Sequence, residues 1–305
     1  MTDLGRRCLA VGAEVSPDGG VYFRVWAPRA GRVDVVLEGE SRLTEPPADG
    51  ALAPEGDGYF SGRVADARAG TRYRYRLDGG GDFPDPASRF QPEGPHGASE
   101  VVDPTAFPWT DAGWSGVRLA GQVLYEMHIG TFTAEGTWAA ASRELSELAR
   151  AGITVIEVMP VADFAGQFGW GYDGVDLFAP TRLYGRPDDF RRFVNTAHGV
   201  GLGVILDVVY NHFGPDGNYL GQFSDTYVTD RHTTDWGEAI NFDGPGSGPV
   251  RDFFVANAGY WIDEFHVDGL SLDATDNIQD ASPTHVIAEL TARARERAGG
   301  RRTLI

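Results

Sequence analysis

Apolar and polar residues alternate with period two through the first hundred residues and then change rhythm. In VYFRVW (21–26), Val21, Phe23 and Val25 share one face, and RYRYRL (72–77) alternates Arg with Tyr73, Tyr75 and Leu77. Such alternation marks half-buried strands. Val33–Leu37 and Tyr59–Val64 are two further candidates, separated by Gly, Pro and Asp clusters at the spacing of a small antiparallel sandwich. Between Pro104 and Gly121 there is little periodicity, and Trp109 follows a Pro while Trp114 follows a Gly. This stretch reads as a connection to a second domain.

After the connection the pattern runs strand, helix, strand, helix. VLYEMHIG (123–130) is followed by a helix whose Ala141, Leu145 and Leu148 form one stripe ending at Gly152. ITVIEVMP (153–160) precedes a helix opened by Pro187, with Phe190, Phe193, Val194 and Ala197 inward. LGVILDVVY (202–210) leads to a helix from about Val250 through Trp261, then HVDGLSLDA (266–274) and a helix over roughly Thr284–Ala298. Fully apolar strands alternating with amphipathic helices imply a parallel sheet covered on both faces. Thr303, Leu304 and Ile305 look like a fifth strand just starting. The expected fold is multidomain: an N-terminal all-β immunoglobulin-like sandwich (1–105), a linker (106–120), and the first half of a (β/α)8 TIM barrel (121–305).

Composition narrows the function. A net charge of −18 argues against nucleic acid and anionic membranes as partners, and no run approaches a membrane span. A neutral sugar is indifferent to this charge. All 26 basic residues are Arg, so lysine-based chemistry is excluded. The single Cys8 permits no internal disulfide, and Met1–Ala13 has no apolar signal region, so a cytoplasmic location is expected.

In a βα barrel the working residues sit at the C-terminal strand ends. Those positions hold Asp207, Asn211 and His212 after the third strand and Asp273 after the fourth, while the loop after the second carries WGYD (170–173), with Trp170 and Tyr172 able to stack on sugar rings. DVVYNH (207–212) and DGLSLDA (268–274) resemble two signature stretches of the α-amylase superfamily, glycoside hydrolase family thirteen, and GITVIEVMP (152–160) resembles its second-strand motif. More narrowly, YEMHIGTFT (125–133), FGWGYDGVDLFAP (168–180), YNHFGPDGNYLG (210–221) and FPDPASRFQPEGPHGASEVVDP (83–104) resemble the malto-oligosyltrehalose trehalohydrolase group.

The resemblance implies a retaining glycoside hydrolase acting on malto-oligosyltrehalose or a related α-glucan, with a carbohydrate-binding-module-like sandwich and no cofactor. It makes Asp273 the nucleophile, stacks Tyr172 on the cleaved sugar, sets His212 against a sugar hydroxyl, and gives Asp207 and Asn211 a supporting role. It also places the general acid, a Glu, just beyond Ile305, so that residues 1–305 alone are expected to be inactive. Two positions depart from the pattern: Ser271 stands where the family has Arg, and Asp276, counted among the substrate-contacting residues, stands where the trehalohydrolases have His. A branching or debranching enzyme, and a non-catalytic glucan-binding fragment, are the competing readings.

Three other signals carry little. Gly169–Gly174 spells G-x-G-x-x-G without the strand and helix a dinucleotide site needs, so the glycines are expected to let the loop turn. His128, His198, His212 and His232 lack zinc-ligand spacing, and no metal is expected there. Asp216–Asn218 is oxygen-rich, but reads as a solvated loop rather than a calcium site.

Overall fold

The computed structural model describes residues 9–38 and 50–305, so Cys8 lies outside the described residues. The N-terminal strands are β1 (Gly12–Val15), β2 (Val21–Trp26), β3 (Val33–Leu37), β4 (Ala53–Gly56), β5 (Tyr59–Val64), β6 (Arg72–Leu77), β7 (Asp82–Phe83) and β8 (Ser99–Glu100). They form two antiparallel sheets, one in the order β1-β2-β5-β4 and the other β3-β6-β7, with β8 also on β6. The alternation explains the pairing. Val21, Phe23 and Val25 of one sheet are buried with Val33, Val35, Tyr73 and Tyr75 of the other, and Phe23 meets Tyr73 edge-on at 4.8 Å. The intervening arginines point outward, where Arg76 forks onto Asp82 at 2.7 and 2.9 Å.

The second part begins with β9 (Leu124–Met127), α1 (Ile129–Phe132), α2 (Trp138–Arg150), β10 (Val155–Val158), β11 (Ala162–Asp163) and β12 (Asp176–Pro180). It continues through α3 (Pro187–Gly199), β13 (Gly203–Val208), α4 (Leu220–Phe223), β14 (Val228–Thr234), β15 (Gly237–Ile240), α5 (Ser247–Glu264), β16 (Gly269–Leu272) and α6 (Val286–Arg297). Four strands make one parallel sheet in the order β16-β13-β10-β9, half of an eight-stranded barrel. The helices cover its outer face, where Trp138 of α2 stacks on Phe190 of α3 at 4.2 Å, both buried. Leu304 joins the edge of β16: its N–H donates to the Asp268 carbonyl and its carbonyl accepts from Leu270, both at 2.9 Å. That is the first rung of a fifth strand.

Two features differ from the sequence reading. The first strand stops at Met127, because His128 is the N-cap of α1, which begins at Ile129. The connection from β13 to α5 carries a hairpin, β14–β15, whose polar strands show no alternation. Residues 106–120, read as a linker, pack against the barrel as a strap: Trp109 stacks on His266 at 3.7 Å and Trp114 on His198 at 4.7 Å.

Candidate active site

The apolar strands of the half-barrel run in register and end together, which brings their first polar residues into one mouth. Asp207 of β13 lies opposite Ser271 of β16, and the Asp273 N–H donates to the Val208 carbonyl at 3.1 Å. Parallel pairing alone thus sets Asp273 beside the end of β13. Ala274, next along the chain, has φ +39°, a left-handed conformation that costs a non-glycine residue roughly 1–2 kcal/mol. Such strain concentrates at sites where the fold over-determines a backbone.

Asn211 Nδ2 donates to both the carbonyl and the Oδ2 of Asp273, each at 2.9 Å. One carboxylate oxygen is therefore fixed, and the rotation of the group with it. His212 contacts Asn211 Oδ1 through Nδ1 and the Tyr172 carbonyl through Nε2, the latter at 3.0 Å. The Tyr172 hydroxyl donates to Asp207 Oδ2 at 3.0 Å. Asp273, Asn211, His212, Tyr172 and Asp207 thus form one connected set drawn from β13 and three loops.

The glycines of the 169–174 loop make this possible. At Gly171, φ is +98° and a Cβ would sit 2.0 Å from the Pro160 carbonyl oxygen. Gly214, beside His212, approaches Asp173 as closely, since a Cβ there would lie 2.0 Å from the Asp173 carbonyl. The loop is anchored further out by Arg182, which donates to Asp163 and to the carbonyls of Phe164 and Gly166.

Trp170 and Asp276 stand apart from the connected set. Trp170 is 73% exposed on the rim, and Asp276 lies exposed in a 3-10 turn with its carbonyl accepting from Gln279. The sequence reading missed Trp236, at the tip of the β14–β15 hairpin, which is half exposed and stacks on the His212 ring at 5.2 Å. Phe168 is a second unforeseen aromatic, 94% exposed on the same loop as Trp170. In the oxygen-rich loop, Asp216 pairs with His96 at 3.2 Å, and Asn218 Oδ1 accepts from the Leu220 N–H. His128 Nε2 contacts the Gly169 carbonyl, and His232 Nε2 lies 2.9 Å from Asp243 Oδ2.

The site is strongly acidic. Burial pushes the Asp207 carboxyl up to about 7; the Tyr172 hydrogen bond opposes this, while Asp273, Glu157 and Glu126 reinforce it. Its Oδ1 is buried with no hydrogen-bond partner among the described residues. A raised folded pKa means that ionising Asp207 costs stability as pH rises from about 4, its ordinary value, to about 7. Asp207→Asn, which keeps an acceptor for Tyr172 and carries no charge, is expected to gain melting temperature over the unmodified protein across that interval. Parallel melting curves at every pH would show that Asp207 ionises without penalty.

Residues 10–106 match the carbohydrate-binding module 48 family (isoamylase N-terminal domain), and residues 101–242 match the alpha amylase catalytic domain. The malto-oligosyltrehalose trehalohydrolase of Saccharolobus solfataricus is 46% identical over 273 residues, covering 90% of this chain and 47% of that protein. That of Deinococcus radiodurans is 44% identical over 290 residues, covering 95% of this chain and 46% of that protein. A 1,4-alpha-glucan branching enzyme of Nocardia farcinica is 36% identical, covering 85% of this chain and 36% of that protein. The crystal structure of a putative alpha amylase from Salmonella typhimurium superposes with TM-score 0.89 at 44% identity, covering 97% of this chain and 49% of that one. The chain spans about half the length of the curated relatives it matches. With an immunoglobulin-like sandwich and half of a (β/α)8 barrel, the chain belongs to the α-amylase superfamily.

Proposed function

We propose that this chain supplies the sandwich and the nucleophile half of a retaining glycoside hydrolase that cuts the α-1,4 bond beside the terminal trehalose of malto-oligosyltrehalose. The observation that carries the reading is the clamp on Asp273. Asn211 holds Oδ2, no described residue donates a hydrogen bond to Oδ1, and so one oxygen is free to attack an anomeric carbon. Attack forms a glycosyl-enzyme ester, and water then releases the sugar with retention. Tyr172, fixed by Asp207, offers its ring to the sugar being cleaved, while Trp236 over His212 and the rim residue Trp170 offer further stacking faces.

Retention also needs a carboxylic acid roughly 5 Å from the nucleophile. Asp207 carries a proton near neutral pH but cannot fill that role, because Oδ1 is enclosed and Oδ2 is bonded to Tyr172. The acid therefore comes from the half of the barrel that the relatives carry beyond the matched region. Among α-glucan reactions, trehalose release is favoured over branching by the closer similarity to trehalohydrolases, 46% against 36% identity. The test joins residues 1–305 to the second half-barrel of a trehalohydrolase relative and follows products from malto-oligosyltrehalose. Trehalose is the expected product. New α-1,6 branches without trehalose would replace this reading with the branching one.

A further inference from the structure

The core of the sandwich contains one side chain that its own sequence does not supply. Among the described residues, the buried apolar core shared by the two sheets comes from positions between Ala13 and Val101, with the single exception of Phe223. Phe223 lies in α4 (Leu220–Phe223), on the barrel loop that leaves the end of β13 just after His212. Its ring is fully buried and edge-on to Tyr75 at 6.2 Å and to Phe83 at 6.3 Å. A helix of four residues does not persist alone, since isolated helices shorter than about 12–15 residues are marginal in water. What it packs against therefore sets its position.

The rest of this loop is fixed to the same domain. At Gly217 φ is +88°, and a Cβ there would lie 2.6 Å from the Pro95 side chain. The Tyr219 hydroxyl is 2.9 Å from His96 Nδ1, and its ring packs on Phe83 at 5.9 Å. Arg29 donates to the Gly221 carbonyl at 3.2 Å and pairs with Asp225. Trp26 meets the buried Tyr227 edge-on at 5.3 Å. The next residue opens β14, and the Tyr227 carbonyl accepts from the Asn241 N–H at 3.0 Å, which closes the base of the β14–β15 hairpin. At the tip of that hairpin Trp236 stacks on His212. The chain thus leaves the site at His212, sets Phe223 into the sandwich, and comes back to the site at Trp236.

We infer that the N-terminal sandwich is the mount of the β14–β15 hairpin, and that Phe223 is the positioning residue through which it holds Trp236 over the mouth of the barrel. A two-stranded hairpin is marginally stable by itself, and VTDRHTT has no apolar face to bury, so this one takes its rigidity from its attachments. A second attachment runs from Asp243, which contacts His232 and accepts from the Ala281 N–H. Loss of Phe223 should therefore loosen the hairpin without detaching it. The inference rests on the proposed reaction only for what Trp236 does to a substrate.

The test is hydrogen exchange of the 305-residue protein, read by mass spectrometry over residues 228–240, in Phe223→Ala and in Phe60→Ala, the same truncation made in the same core from β5. A Phe→Ala change in a core shifts a folding equilibrium by more than about 100-fold, so a hairpin that draws on Phe223 should exchange at least about 10-fold faster. At equal overall stability, Phe60→Ala should leave the hairpin amides unchanged, and in both variants β10 and β13 should keep their protection. In the hybrid with a relative's second half-barrel, Phe223→Ala should raise KM for malto-oligosyltrehalose about 2- to 10-fold, the worth of one aromatic face, with kcat little altered. Phe223→Leu, which keeps an apolar side chain in the core, should recover most of both effects. Hairpin exchange that is unaltered in Phe223→Ala, or equally fast in the two truncations, overturns the mount, and faster exchange with unaltered KM overturns the positioning role. Should Phe223→Ala fail to fold, Phe223→Leu against Phe60→Leu makes the same comparison. An unmodified hybrid that releases no trehalose removes the proposed reaction, while the exchange result still decides the mount.

Discussion

Residues 1–305 prepared as a free-standing polypeptide are expected to release no trehalose from malto-oligosyltrehalose, even at high enzyme concentration and long incubation. The reason is local to the site. On the proposed reading Asp273 is the clamped nucleophile, but the leaving oxygen departs as an alkoxide unless an acid protonates it. The neighbouring Asp207, whose pKa burial pushes up to about 7, keeps its proton in an enclosed position. General acid assistance is worth about 10² to 10⁴ in rate, and loss of half the substrate-binding cleft adds to that deficit. Joining the second half-barrel of a relative should restore the activity, and Asp273→Ala in that hybrid should abolish it again. Trehalose is measured by chromatography, with a mock preparation from the same host as the control. Steady release by the 305-residue polypeptide, absent from the mock, would mean that a carboxyl within these residues is the acid and that the role denied to Asp207 must be reopened.

Ser271→Arg in the same hybrid is expected to raise kcat/KM, most of all at acidic pH. Ser271 is in register with Asp207, and by the period of a strand it shares a face with Asp273 two residues on. A guanidinium there has a vacant acceptor to meet, the unpartnered Oδ1 of Asp207. It would enter a mouth where Asp207 faces three other carboxylates, those of Asp273, Glu157 and Glu126. An opposite charge in contact lowers a carboxyl pKa by about 1–3, so Asp207 would fall from about 7 towards the ordinary range. The serine form should then lag by roughly 10- to 1000-fold at the foot of the acidic limb, the ratio of ionised Asp207 that such a lowering implies. The difference should close above about pH 7, where Asp207 ionises unaided. A pH-independent gain is recognised separately, as a vertical offset, because a forked hydrogen bond also fixes the carboxylate's orientation. The check is a pair of pH–rate profiles. Superimposable acidic limbs would show that Ser271 is compensated by something else in the site.

Much of the architecture was legible because burial imposes a period. Val21–Trp26, Val33–Leu37, Tyr59–Val64 and Arg72–Leu77 are strands with the bounds their alternation implies, since one face of each meets the other sheet. The helix opened by Pro187 begins at that residue, where a missing N–H costs nothing. Strands such as β1 (GAEV) and β4 (APEG) were invisible: they are short and recognisable only by the neighbour they pair with. The β14–β15 hairpin escaped for a related reason. VTDRHTT is polar on both faces, so no hydrophobic rhythm announces it, although its Val and Thr content and the Gly237 turn were a faint signal.

The sequence by itself determined the fold class, the strand ends where chemistry collects, and the family motifs that place Asp273, Asn211, His212, Tyr172 and Asp207 there. These are properties of short segments, written in periodicity and in local residue order. Only the tertiary structure decided how those residues engage one another. Tyr172 reaches Asp207 across 35 positions, Trp236 comes to rest on His212, and His198 is caught between Asp111 and Asp268. The high pKa of Asp207 has the same origin, since it arises from burial and from carboxylates on β9, β10 and the end of β16 converging on β13. Electrostatic energy depends on distance through space and on exclusion of water, and neither quantity exists until the strands have closed side by side.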